Sequence, residues 1–94
     1  DRKKLLKSTA PSLDSNEIDK INQYVGEHLE AFTTAKVLQP ISPRTYMAFA
    51  SAVAMFKTMS VPEPIEQALS ATILDRASVQ DRAVLNGLSN RVFK

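Results

Sequence analysis

An all-α bundle of four to five helices is the fold class this chain predicts, from three observations. Glycine occurs only twice in 94 residues, no Asn-Gly or Asp-Gly pair marks a tight hairpin, and no stretch sustains the alternation of a half-buried strand. The apolar residues instead recur at three- and four-residue steps behind recognisable helix caps.

The first helix spans about Arg2 to Thr9, with Leu5 and Leu6 expected to face inward. It stops near Ala10 because Pro11 disfavours helical geometry in the residue before it. The second helix carries the clearest start. Asp14 is placed to cap the Glu17 N–H while Glu17 reaches back, and Leu13 is placed to pack on Ile18, a capping box with a staple. Ile18, Ile21, Val25, Leu29 and Phe32 then form one apolar face, and the periodicity runs to about Ala35 or Lys36. The third helix opens at Ser42 and continues through Tyr46, Phe49, Val53 and Phe56 to about Met59. It has no charge between Arg44 and Lys57, so it is expected to be the covered, central helix, with Val53 and Phe56 buried against the second and fifth. A fourth helix begins around Pro62 to Pro64 and presents Ile65, Ala68, Leu69 and Ile73. The fifth opens with Ser78-Val79-Gln80-Asp81, an S-x-x-D cap, and is expected to bury Val79, Val84, Leu85, Leu88 and Val92. Loops at 37–41, 59–62 and 75–78 are short enough to make successive helices neighbours.

Composition narrows the chemistry. The length suits a single domain, one that buries only roughly 60–65% of its unfolded surface, so the core must be continuous. With no cysteine and the lone histidine His28, disulfides, thiolate nucleophiles and multi-histidine metal sites are excluded within the chain, and a reducing cytoplasm is the expected compartment. Twelve basic and ten acidic residues give a net charge of +2 and are well mixed, apart from Arg2, Lys3, Lys4 and Lys7, so nucleic acid is not favoured as a partner. No apolar run approaches the roughly 18–20 residues of a membrane span. The absence of an initiator Met leads to the expectation of a piece of a longer protein.

The segment richest in chemistry is Ser42-Pro43-Arg44-Thr45. It sets a guanidinium in the first turn of a long helix, where unpaired N–H groups and the macrodipole already attract anions. The same residues also read as an ordinary start: Ser42 the cap, Pro43 the first-turn proline and Arg44 a solvated side chain.

Ile41-Ser42-Pro43-Arg44-Thr45 is followed by an Ala-rich helix, Val61-Pro62, Ile65-Glu66-Gln67-Ala68, Ile73-Leu74-Asp75, and a closing Leu88, Val92 and Phe93. This order resembles the C-terminal part of CbbQ/NorQ-type proteins, in the MoxR-like branch of AAA+ ATPases. The resemblance covers Ile41 to Phe93, with Asp75-Arg76-Ala77-Ser78 standing where the family has an acidic turn. It implies that residues 1–94 are the helical lid following a nucleotide-binding core, and that Arg44 is the sensor-2 residue reaching the nucleotide phosphates, with Ser42, Pro43 and Thr45 at the same helix start. ATP and magnesium then belong to the parent protein and are not held by this segment alone. The glycine-rich phosphate loop and the acidic magnesium-binding strand of such ATPases are absent from these residues, so the chain is expected not to hydrolyse ATP unaided. The implied partners are the core domain of the same protein, neighbouring subunits of a ring, often hexameric, and a von Willebrand factor A-type protein served in metal insertion or enzyme maturation.

Other residues carry weaker signals. Glu27 and Glu30 flank His28, but consecutive helical positions diverge by about 100°, and a solvated face is the expectation there. Arg2, Lys3, Lys4 and Lys7 suit a solvated or interdomain surface better than a nucleic-acid grip. Met47, Phe49, Met55, Phe56 and Met59 suit a core better than a groove for a partner helix. Asp75, Arg76, Asp81 and Arg82 have the spacing to pair across a loop or to contact a neighbouring subunit. The function expected is therefore a lid coupling ATP hydrolysis to remodelling of a partner complex. The alternative is a non-enzymatic helical protein-binding module of a viral or regulatory protein, with a small DNA-binding domain behind it.

Overall fold

Local capping chemistry decides where the helices of this computed structural model, which describes residues 1–94, begin. The order is α1 (Arg2–Thr9), α2 (Ser15–Thr33), α3 (Pro43–Thr58), α4 (Pro64–Thr72), a 3-10 turn (Leu74–Arg76) and α5 (Val79–Phe93), with no strand. Ahead of α2, the Asp14 carboxylate accepts the Glu17 N–H at 2.8 Å while Glu17 accepts the Asp14 N–H at 3.0 Å. Ser42 and Ser78 cap α3 and α5 through Oγ, accepting from the Thr45 and Asp81 amides at 3.2 and 3.1 Å. Only α4 begins without a side-chain cap, behind Glu63 at φ 48° and with Pro64 in its first turn.

Helix ends follow a rule that the sequence hides. After α2 the Lys36 amide donates to the Ala31 carbonyl at 2.8 Å and the Ala35 amide to Phe32 at 3.0 Å. After α3 the Val61 amide reaches Phe56 at 2.9 Å and the Ser60 amide reaches Lys57 at 3.1 Å. Both are Schellman closures, which need a left-handed residue, and here Ala35 (φ 62°) and Ser60 (φ 58°) supply it where glycine is usual. Helix α2 therefore ends at Thr33, short of the Ala35 or Lys36 that its periodicity suggested.

Packing places α3 along α4 and against α1, while α2 lies against α5 and α1. Side chains then tie the two halves together. Tyr24 of α2, Phe49 of α3 and Phe93 of α5 form a triangle with ring centroids 5.9, 5.9 and 6.1 Å apart. The buried face of α2 is Ile18, Ile21, Tyr24, Val25, His28 and Ala31. Relative to the apolar face read from the sequence, it is turned by about 50°, at 100° per residue. Leu29 is consequently only partly buried, and Phe32, in the last turn, is exposed.

Four further expectations are corrected. Leu6 faces the core, and Leu5, about 100° round the same short helix, is exposed. Val79 is 81% exposed, because α5 turns Leu85, Leu88 and Val92 inward and its first residue away. Phe56 is half-buried rather than enclosed between α2 and α5, and Phe49 takes that place. Helix α3 buries only Tyr46, Phe49, Ala50 and Val53, leaving Ala48, Ser51, Met55 and Met59 open. An uncharged helix here lies at the surface of the bundle.

Phe49→Ala should cost about 3–5 kcal/mol in a denaturant series and Phe56→Ala about 2 kcal/mol or less, since only Phe49 leaves a closed cavity. Equal losses would contradict the packing. Ala35→Gly and Ser60→Gly should each raise stability by about 0.5–1 kcal/mol, because glycine removes left-handed strain at both closures. A lower melting temperature for both variants would show that those residues contribute through contacts instead.

Candidate functional site

The start of α3 is set by the chain before it. Val37 and Ile41 are buried apolar anchors, and between them Leu38 and Gln39 are held through their backbones. The Asp81 carboxylate of α5 accepts the Leu38 N–H at 2.9 and 3.0 Å from its two oxygens. His28 Nε2 lies 3.2 Å from the Gln39 carbonyl, and His28 Nδ1 lies 3.4 Å from the Tyr24 hydroxyl. A carbonyl only accepts, so Nε2 carries the proton and the Tyr24 hydroxyl donates to Nδ1. That is the neutral imidazole.

Burial agrees with this protonation. His28 is 4% and Asp81 3% exposed, and no buried side-chain nitrogen or oxygen lacks a partner. Desolvation holds the His28 pKa below its ordinary value of 6.5, opposed in part by the Gln39 carbonyl and the Asp81 charge. The same desolvation pushes the Tyr24 phenol well above its usual range. Sequence reasoning treated His28 as part of a solvated face, and treated Asp81 as a cap or an ion-pair partner. Both instead anchor the loop that feeds α3.

Beyond the loop, Ser42 Oγ is 2.9 Å from Thr45 Oγ1 and accepts the Thr45 amide. Pro43 has no N–H, so the first turn is left with one unpaired donor, the Arg44 amide. Ser42, Pro43 and Arg44 are exposed and Thr45 is half-buried. The Arg44 guanidinium makes no hydrogen bond or ion pair, whereas Arg2, Arg82 and Arg91 are each engaged. Thr45 lines an open cleft of about 120 Å3 shared with His28, Gln39, Thr72, Arg76 and Asp81.

The remaining candidates separate. Glu27 pairs with Arg91, which together with Gln23 holds its carboxyl below the usual range, while Glu30 is exposed. In the basic cluster, Arg2 donates to Asn22 at 2.6 Å, Lys3 pairs with Asp19 at 2.6 Å and Lys7 donates to the Leu13 carbonyl at 2.8 Å. Only Lys4 is left without a side-chain partner there. Asp75, Arg76, Asp81 and Arg82 form no ion pair with one another; Arg82 donates to the carbonyls of Leu74 and Ala77 at 3.1 and 3.5 Å. No group of three or more His, Cys, Asp or Glu side chains converges as a metal site, and no helix is long and apolar enough to cross a membrane.

The depressed His28 pKa fixes the sign of a pH effect. The unfolded imidazole takes a proton near pH 6.5 and the folded one resists it, so the stability His28 confers is full above that pH and is lost as the pH falls toward the folded value. Denaturant midpoints between pH 7.5 and 5 should therefore fall, by no more than about 1.4 kcal/mol per pH unit from this group. The fall should flatten in His28→Gln; an unchanged slope would mean that the imidazole protonates freely in the folded state.

No family model, curated protein or solved structure matches this chain.

Proposed function

We propose that this chain is the helical lid of a MoxR/CbbQ-like AAA+ ATPase, and that Arg44 is its phosphate sensor. The observation that carries the reading is a guanidinium at the first turn of a sixteen-residue helix, exposed, without a partner inside the domain, and set by a loop pinned from two sides. An arginine whose ligand lies across an interdomain cleft has this character. The ordered resemblance from Ile41 to Phe93 supplies the rest.

On this reading the core domain brings the phosphate loop, magnesium and the attacking water, and the lid brings one cation. Phosphoryl transfer asks mainly for positioning and charge stabilisation, and a planar fork suits phosphate oxygens better than a point charge. Mounting that cation on a separate unit makes phosphate contact depend on lid position, which couples hydrolysis and product release to rotation between domains. The parent works as a cytoplasmic ring that remodels or activates a partner complex, with a von Willebrand factor A-type protein as the expected adaptor.

A second reading has one observation in its favour. Met55 and Met59 stand exposed one turn apart on α3, as they would in a non-enzymatic protein-binding module. The sequence encoded ahead of Asp1 separates the two: a G-x-x-x-x-G-K-[ST] loop is expected for the lid, and a disordered polar segment would overturn it in favour of the module.

In the intact ATPase, Arg44→Ala should leave the melting temperature nearly unchanged, within about 0.5 kcal/mol, while turnover or nucleotide affinity falls roughly tenfold or more. Arg44→Lys should restore part of the loss. Steady-state hydrolysis and nucleotide titration beside a melting curve decide the matter, and unchanged turnover with unchanged affinity would return Ser42-Pro43-Arg44 to an ordinary helix cap.

A further inference from the structure

Two polar grips of different kinds hold the segment between α2 and α3. Leu38 is held by a carboxylate, the Asp81 side chain on α5, whereas Gln39 is held by an imidazole, the His28 ring on α2. Only the second grip requires a neutral side chain. His28 Nδ1 accepts from the Tyr24 hydroxyl while Nε2 donates to the Gln39 carbonyl, and a second ring proton makes both nitrogens donors. Tyr24 must then turn its own proton elsewhere, yet it is fully buried and its hydroxyl has no hydrogen bond other than the one to His28. Protonation therefore breaks the series.

The ring also has an exit. His28 is 4% exposed, but it forms part of the wall of the open cleft of about 120 Å3, so a side-chain rotation reaches water without unpacking a helix. Few charges face it there. Asp81 comes from α5 with both oxygens on the Leu38 amide, Arg76 comes from the 3-10 turn, and α3 and α4 contribute only the uncharged Thr45 and Thr72. On its own helix Tyr24 faces the ring, while Glu27 is taken up by Arg91 and Glu30 is exposed; Lys36, on the loop, lines a different groove. Burial, opposed in part by the Gln39 carbonyl and the Asp81 charge, keeps the ring pKa below its ordinary 6.5.

We propose that the Tyr24–His28–Gln39 series is an acid-released latch: on taking a second ring proton His28 rotates into the cleft, and the backbone from Leu38 to Pro40 opens while the helices stay folded. Val37 and Ile41, both buried, are the anchors between which this opening occurs. With Gln39 released, Leu38 keeps one amide donor on Asp81 and a side chain 68% exposed, too little to hold the backbone closed. Water entering the cleft then solvates the Gln39 carbonyl. The latch does not depend on the lid reading.

The test is backbone hydrogen exchange of the 94-residue chain between pH 7.5 and 5, corrected for the intrinsic exchange rate at each pH, beside a proton-shift titration of the His28 ring. The open state takes its proton near pH 6.5 and the closed one resists, so opening grows by at most about tenfold per pH unit below that value. Protection of the Leu38 amide should fall about tenfold or more across the range. Amides in the middle of α2, at Tyr24 and Val25, should change less than twofold. His28→Gln, which can donate and accept at the same two points, should reduce the Leu38 response to less than twofold. Asp81→Asn should lower Leu38 protection at both ends of the range and retain the response.

Leu38 protection that stays constant while the His28 ring titrates would overturn the latch. So would an equal loss at Leu38 and Val25, which is unfolding of the whole bundle. A response that survives His28→Gln and disappears in Asp81→Asn would assign the proton to the carboxylate, and the latch would fall. If His28→Gln does not fold, the ring titration decides: its midpoint must lie below 6.5 and coincide with the loss of Leu38 protection in the unaltered chain.

Discussion

Burying Tyr24 and His28 together is the constraint on which the rest of the structure depends. Each brings a polar atom into an apolar interior, where an unpaired donor or acceptor costs about 1–3 kcal/mol, so the two must be satisfied in series. Tyr24 donates to His28, and His28 donates to the Gln39 carbonyl. The chain of bonds fixes the rotation of α2, because both residues must face inward at once. It also fixes the loop, because only a backbone carbonyl held at Gln39 completes the series. The tyrosine ring meanwhile meets Phe49 and Phe93, so the same residue that starts the polar chain joins α2 to α3 and α5.

The candidate site inherits its position from that constraint. Leu38 and Gln39 are gripped by Asp81 and His28, and three residues later Ser42 opens α3. The side chains that set the start of the helix are therefore not the ones exposed at it. Arg44 contributes nothing visible to folding, and a cation free of structural duty is available for a ligand. The alternative arrangement, an arginine paired inside the domain, would have to break that pair whenever a phosphate approached, with loss of affinity. Arg91 and Glu27 show that the bundle does pair arginines where the fold calls for it.

How much of this was legible follows from the range of each interaction. The caps at Asp14, Ser42 and Ser78 involve partners three residues away, and the sequence shows them directly. The end of α2 was misread because its closure uses Ala35, a residue with no mark of left-handed geometry, in place of a glycine. The apolar face read for α2 omits Tyr24 and places His28 on a solvated side, because nothing local shows that their i,i+4 spacing lets one satisfy the other in the interior. Val79 was misassigned because a single apolar residue at a first-turn position carries no periodicity of its own. Arg44 could be singled out because helix-start rules are local, whereas Asp81 and Leu38 are 43 residues apart and nothing in either residue announces the other.

The cleft shows how long-range anchoring and local bracing combine. If Asp81 turned from Leu38 toward Arg76, it would gain an ion pair half in solvent, worth little, and leave the part-buried Leu38 amide without its acceptor. The carboxylate therefore stays with the amide. Arg82 donates to the Leu74 carbonyl, which also accepts the Ala77 amide, and to the Ala77 carbonyl, so the turn Leu74–Arg76 is braced from α5. The Asp81 choice follows from the higher cost of an unsatisfied backbone group relative to an unpaired surface charge. With the Asp81 carboxylate held by the Leu38 amide and Arg82 held by the turn's own carbonyls, Arg76 stays solvated at the end of the 3-10 turn.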